Sequence, residues 1–219
     1  MSKRVKKSLT FSIILLAAFA LWTVMIQCID VQPVGQMGTD IGFASWNIHF
    51  HELTGVHMAI YTLTDWLGLV PILICVCFGL LGLQQWIQRR NMWKVDVDIL
   101  ILGLYYIIVI AGFVLFEMFP VNYRTVLIEG ALEASYPSST TLLVLSVMPT
   151  LKYQADRRIK NVFIRNVLTV FTAVFSLFMV LGRLISGVHW ITDIVGGVFL
   201  STGLFLLYIS VVDFFQSKN

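Results

Sequence analysis

Six long apolar stretches divide the chain: Leu9–Ile29, Trp66–Ile87, Ile99–Phe119, Ser138–Leu151, Val167–Ile185 and Ile191–Phe215. Five of them reach the ~20 residues that a helix needs to cross a hydrocarbon core. The fourth has roughly two-thirds of that length and opens at Pro137. It counts as a span all the same, because only then do the basic residues on its two sides fall on consistent faces. The pattern predicts an all-α integral membrane bundle of six transmembrane helices, forming a single domain over residues 1–219 with no repeat and no low-complexity linker.

The longest connection, 30–65, carries Pro33, Gly35, Gly38 and Gly42, then a mixed stretch from Phe43 to Thr64 with apolar residues at helical spacing. That spacing predicts an amphipathic helix along the interface, where Trp46, Phe50, Tyr61 and Trp66 suit the water boundary.

Composition agrees with the pattern. The chain is 58% hydrophobic and 12% charged, with a mean hydropathy of +0.86. So few charges cannot cover a soluble domain of this size. The first apolar stretch follows a basic start but is longer than the hydrophobic region of a typical export signal, and no small-x-small cleavage site follows it. It reads as a retained anchor.

Charge placement adds an orientation. Lys3, Arg4, Lys6 and Lys7 precede the first helix, and Arg89, Arg90 and Lys94 lie between the second and third. Lys152, Arg157, Arg158, Lys160 and Arg165 lie between the fourth and fifth, and Lys218 closes the chain. With six spans these all fall on one side, which the positive-inside rule makes cytoplasmic, together with both termini. The net charge of +3 is explained by this orientation, so it implies no nucleic-acid partner. Of the fifteen basic residues only Arg124 and Arg183 fall on the other face, and topology gives no reason for either.

Other candidate chemistry is weak. Cys28, Cys75 and Cys77 lie in or at the ends of helices, without metal or disulfide spacing, and read as small apolar fillers. His49, His51, Glu52 and His57 fix no ligand set by spacing and read as a polar face at the water boundary. No metal and no cofactor is expected.

The strongest local signal is Gly182-Arg183-Leu184-Ile185-Ser186-Gly187-Val188-His189-Trp190-Ile191-Thr192-Asp193, where the fifth span gives way to the sixth. An Arg, a His and an Asp this close to a membrane boundary are costly unless they have partners or work. If the last helix starts near His189, then His189 and Asp193 share a face at i and i+4. Asp193 then accepts a proton from one ring nitrogen and leaves the other basic. Arg183 offers a permanently charged fork for phosphate oxygens. A second piece, Glu133 to Thr141, places Pro137, Ser138, Ser139 and Thr140 at a helix start, where free backbone amides attract anions. Read alone, those hydroxyls are better explained as helix caps. Asn122-Tyr123-Arg124 is the third piece, on the same face.

With these residues the chain resembles the type 2 phosphatidic acid phosphatase family, whose motifs are K-x6-R-P, P-S-G-H and S-R-x5-H-x3-D. The third motif matches at Arg183, His189 and Asp193, with Gly182 for its leading Ser. The second matches at Pro137 and Ser138, with Ser139 for Gly and Thr140 for His. The first matches at Arg124, with Glu117 at the Lys position and Thr125 at the Pro position.

The resemblance implies metal-independent hydrolysis of a lipid phosphate or diphosphate through a phosphohistidine. His189 would attack phosphorus, Asp193 would orient it, and Arg124, Arg183, Ser138, Ser139 and Thr140 would hold phosphoryl oxygens. The partners it implies are a lipid phosphate substrate and the bilayer, in a bacterial cell membrane with the site facing outward.

The departures bear on the substrate. The family's second-motif His protonates the leaving group, and Thr140 cannot. An alkoxide leaving group, whose conjugate acid is about as weak as water, needs that proton far more than a phosphate of pKa roughly 6. An isoprenyl diphosphate is therefore the favoured substrate, and Glu117 is a candidate replacement acid. A catalytically silent lipid-phosphate binder or scaffold of the same fold is the competing class. A transporter or channel is disfavoured, because no span carries a charge at its middle.

Overall fold

The computed structural model describes residues 2–217, which leaves Lys218 outside it. Eight α-helices account for most of the described chain: α1 (Lys3–Cys28), α2 (Ala44–Thr54), α3 (Met58–Leu67), α4 (Leu69–Arg89), α5 (Val97–Met118), α6 (Ser139–Arg158), α7 (Val162–Ile185) and α8 (Ile191–Gln216). Among the described residues, five helical stretches are long and apolar enough to cross a membrane: α1, α3 running on into α4, α5, α7 and α8.

The fourth apolar block becomes α6, a full 20 residues, because its last turns use Lys152, Gln154, Arg157 and Arg158, which the apolar pattern left out. Helix α6 is not apolar all round, and it need not be. Thr140, Thr141, Ser146, Thr150 and Gln154 are buried among its neighbours, where Tyr105 and Tyr106 of α5 bond to Ser146 O and Thr150 Oγ1.

Helices α1 and α8 run antiparallel. Ser12 Oγ donates to Gly203 O (2.8 Å), and Trp22 Nε1 donates to Thr192 O (3.1 Å). The start of α1 and the end of α8 therefore share one end of the bundle. Ion pairs hold that end together. Arg158 joins Asp98 (2.8 Å) and Asp96 (2.9 Å), Arg89 joins Asp96, and Asp213 meets both Arg157 and Arg4. The termini of α1, α4, α5, α6 and α8 gather here, so α6 runs the full depth of the bundle from this basic end to the opposite one.

At the opposite end lies the 30–65 connection. The stretch read as one amphipathic helix is two, α2 and α3, broken at Gly55, whose φ is +65°. Helix α3 packs on α7 and passes into α4 at Gly68. The contact with α7 is at Gly182, where a Cβ would lie 2.7 Å from Thr64 Cγ2. The glycine that replaces the family's serine thus lets α3 come against the residue next to Arg183.

Candidate functional site

The non-basic end of the bundle brings the three sequence pieces together. The α7–α8 junction turns at Gly187 (φ +67°), where a Cβ would sit 1.8 Å from Gly55 O, so only glycine fits. Its backbone is clamped from both sides: His57 N donates to Ser186 O (2.9 Å) and Thr125 N to Val188 O (3.3 Å). His189 is held where this turn meets α8.

His189 is buried. Its Nδ1 lies 3.2 Å from Ser135 O and 3.8 Å from Asp193 Oδ2, the second being too long for a hydrogen bond. A carbonyl oxygen can only accept, so Nδ1 carries the proton and Nε2 keeps its lone pair. Nε2 is buried with no hydrogen-bond partner among the described residues. Burial lowers the pKa of the ring below the usual histidine value, Asp193 opposes that shift, and the field of Arg124 adds to it. The ring is a neutral imidazole at neutral pH.

Asp193 is wholly buried and fixed by two donors, Asn122 Nδ2 to Oδ1 (2.9 Å) and Trp190 N to Oδ2 (3.0 Å). The second bond also caps the first turn of α8. The direct His189–Asp193 hydrogen bond expected from the i, i+4 spacing is thus not made, and Ser135 O takes the ring proton instead.

A small hairpin carries the rest. Arg124 N donates to Glu133 O and Ser135 N to Asn122 O, closed by Glu129 and Gly130, both with positive φ as two-residue hairpin turns require. One backbone pairing therefore positions Asn122, Arg124 and Ser135 together.

Arg183 is 1% exposed. Its Nη2 donates to both Asp65 Oδ1 (2.7 Å) and Thr140 Oγ1 (2.5 Å), while Nε and Nη1 find no partner among the described residues. Arg124 pairs with Glu133 Oε2 at 3.0 Å. Tyr61 of α3 stands against both cations: its ring centroid lies 4.6 Å from the Arg183 guanidinium carbon and 5.4 Å from that of Arg124. Its hydroxyl accepts from Arg124 Nη1 (3.1 Å). Two like charges are thereby held beside one negative ring face.

Ser138 is buried and caps α6, its Oγ accepting from Thr141 N (3.5 Å), while its own amide donates to Asp193 O (3.1 Å). Ser139 and Thr140 follow as the first helical residues of α6, where amides lack intrahelical partners. Glu117 is exposed in the last turn of α5, and its field reaches Arg124. The carboxylate adjoining Thr140, through the shared Arg183 nitrogen, is Asp65.

The three sequence pieces therefore meet at one end, with Tyr61, Asp65 and the Ser135 carbonyl added as their partners. Tyr61 had been read as an interfacial aromatic, and Asp65 carried no signal. The Gly182 departure was the one trace of the helix that brings them.

Comparison with known proteins places this arrangement. No curated protein sequence matches the chain. A solved structure described as the first transmembrane PAP2 type phosphatidylglycerolphosphate phosphatase from Bacillus subtilis superposes with a TM-score of 0.63, over 94% of this chain and 96% of that one, at 16% identity. That likeness speaks for the fold, a transmembrane helical bundle. The PAP2 superfamily profile matches residues 103–217, a stretch that holds Arg124, Ser138, Arg183, His189 and Asp193, and the chain is a member of that superfamily.

Proposed function

We propose that this protein is a membrane lipid phosphatase that hydrolyses a lipid phosphate or diphosphate through a phosphohistidine. The observation that carries the reading is His189: Nδ1–H is committed to Ser135 O, and the buried Nε2 lone pair is unengaged among the described residues, in the field of Arg124 and Arg183. Nε2 attacks phosphorus, the bond from phosphorus to the leaving oxygen breaks, and that oxygen departs with the electron pair. Water then cleaves the N–P bond, yielding phosphate and free His189. Arg124, Arg183 and the first amides of α6 balance the charge on the phosphoryl oxygens. Asp193, fixed by Asn122 and Trp190 N, stabilises the ring as it becomes cationic.

Thr140 cannot protonate the leaving group, and its Oγ1 is engaged by Arg183. A phosphate leaving group fits this site better than an alkoxide, so an isoprenyl diphosphate is the favoured substrate class. The topology that accompanies the reading has six crossings, counting α6. The ion-paired basic end and both termini face the cytoplasm, and the site faces outward from a bacterial cell membrane.

The test is phosphate release by purified full-length protein from matched lipid monophosphates and diphosphates, with His189→Ala alongside. Release that depends on His189 and favours diphosphates is expected. A preference for monophosphates would sink the substrate assignment. One observation favours a second reading, a silent lipid-phosphate binder: Arg124 and Arg183 already carry carboxylate partners, Glu133 and Asp65. Binding of lipid phosphates without release would establish it.

A further inference from the structure

The bilayer-facing side of α4 and α5 carries an apolar groove in two compartments. The first, about 570 Å³, lies between α4, α5 and α6 and is bounded at the site end by Asp65, Ser139 and Thr140. The second, about 550 Å³, continues between α4 and α5 to Trp86 and Met92 at the basic end. Cys75 and Tyr106 line both, so the compartments abut. On α4 the lining residues Leu69, Ile72, Cys75, Gly79, Gly82 and Trp86 recur every three or four positions, which is a single helical stripe.

The length of that stripe is informative. Leu69 to Trp86 covers about 25 Å at 1.5 Å per residue, whereas one leaflet is roughly half of a ~30 Å hydrocarbon core. The glycines add an independent sign. In membrane helices glycine usually admits a neighbouring backbone, yet a Cβ on Gly79 or Gly103 would meet nothing within 4 Å. Among the described residues no atom fills the space beside them, and that space belongs to the groove.

We infer that this groove binds the substrate's hydrocarbon tail, and that its two-leaflet reach and glycine-lined inner half select a single long polyisoprenoid chain over acyl chains one leaflet deep. The inference rests on the phosphatase reading, since the occupant is identified by the groove's continuity with the phosphate site at Ser139 and Thr140. A chain anchored there fills the outer compartment first, and only one that passes the bilayer midplane reaches Gly79 and Gly103.

The experiment compares kcat/KM for farnesyl and undecaprenyl diphosphate in wild type, Gly79→Leu and Gly103→Leu. Gly112→Leu is the control, an equally open α5 glycine outside the groove lining. Leucine in the inner compartment is expected to lower the undecaprenyl value by about tenfold or more and to leave the farnesyl value within about twofold, with Gly112→Leu matching wild type on both. Equal losses on both substrates, or no loss on either, overturn the inference. If wild type hydrolyses neither, the diphosphate assignment falls separately. The groove is then read by native mass spectrometry with undecaprenyl phosphate: retention lost in Gly79→Leu but kept in Gly112→Leu supports it, and equal retention overturns it.

Discussion

Replacing Tyr61 with phenylalanine removes one oxygen from the site and keeps the ring. What is lost is the hydrogen bond from Arg124 Nη1 to the Tyr61 hydroxyl (3.1 Å), a bond to a charged group in a half-buried setting, typically about 1.5 kcal/mol or somewhat more. If that bond holds Arg124 where the phosphoryl charge develops, kcat/KM falls about tenfold. Tyr61→Leu also removes the ring from both guanidiniums, at 4.6 and 5.4 Å. Cation–π contacts are worth about 0.5–2 kcal/mol each, the upper value applying to desolvated cations, and Arg183 is almost wholly buried. The summed loss reaches roughly 3 kcal/mol, or about a hundredfold. The assay is phosphate release at saturating and limiting lipid diphosphate, with inorganic phosphate as a competing anion. The expected order is wild type, then Phe, then Leu, with inhibition by phosphate weakening in the same order and the thermal midpoint of the Phe variant lowered by no more than a few degrees. Equal rates for Phe and Leu, or rates that fall while phosphate inhibition stays constant, would refute a role for Tyr61 in positioning the arginines.

Three further outcomes follow from the geometry. His189 must be neutral to attack, and burial lowers its pKa from the usual 6.5. The acidic limb of kcat/KM therefore has its midpoint below that value, with activity persisting at pH 6.5 and lost as the pH falls further; a midpoint above it would contradict the buried, neutral ring. Cys28 is exposed at the end of α1 on the site side of the bundle, so a membrane-impermeant maleimide should label it in intact cells and Cys28→Ser should abolish the signal. Labelling only after lysis would reverse the proposed orientation. Gly187→Ala places a methyl 1.8 Å from Gly55 O at a φ of +67°, a strain of about 1–3 kcal/mol; both the thermal midpoint and activity should drop, and an unaltered variant would show that the α7–α8 turn is not clamped as described.

How far the sequence disclosed this molecule depended on how each feature is encoded. Apolar runs and basic clusters report membrane crossing directly, which is why α1, α4, α5, α7 and α8 were legible within a few residues. Helix α6 looked too short because its inner turns are polar, and a polar stretch announces a helix only when its neighbours are known to enclose it. Arg183, His189 and Asp193 were legible by residue type and spacing. The partner of the His189 ring proton was not, since it is the Ser135 carbonyl, and a backbone oxygen has no residue signature. Tyr61 and Asp65 lie more than a hundred positions before Arg183. They reach it because α3 docks on α7 at Gly182, a tertiary approach that leaves only a missing side chain as its mark.

The antiparallel pairing of α1 with α8 has a consequence for biogenesis. As the chain emerges, α1 enters the bilayer first, yet the carbonyl that Ser12 bonds, Gly203 O, is made near the end of synthesis. Asn122, Arg124 and Ser135 likewise wait for residues 189–193. The last helix, the most buried of the described spans, therefore fills the middle of the bundle and brings in His189, the proposed nucleophile, in a single docking event. A chain arrested before α8 would lack both His189 and Asp193, so on the proposed mechanism reactivity cannot precede closure of the bundle.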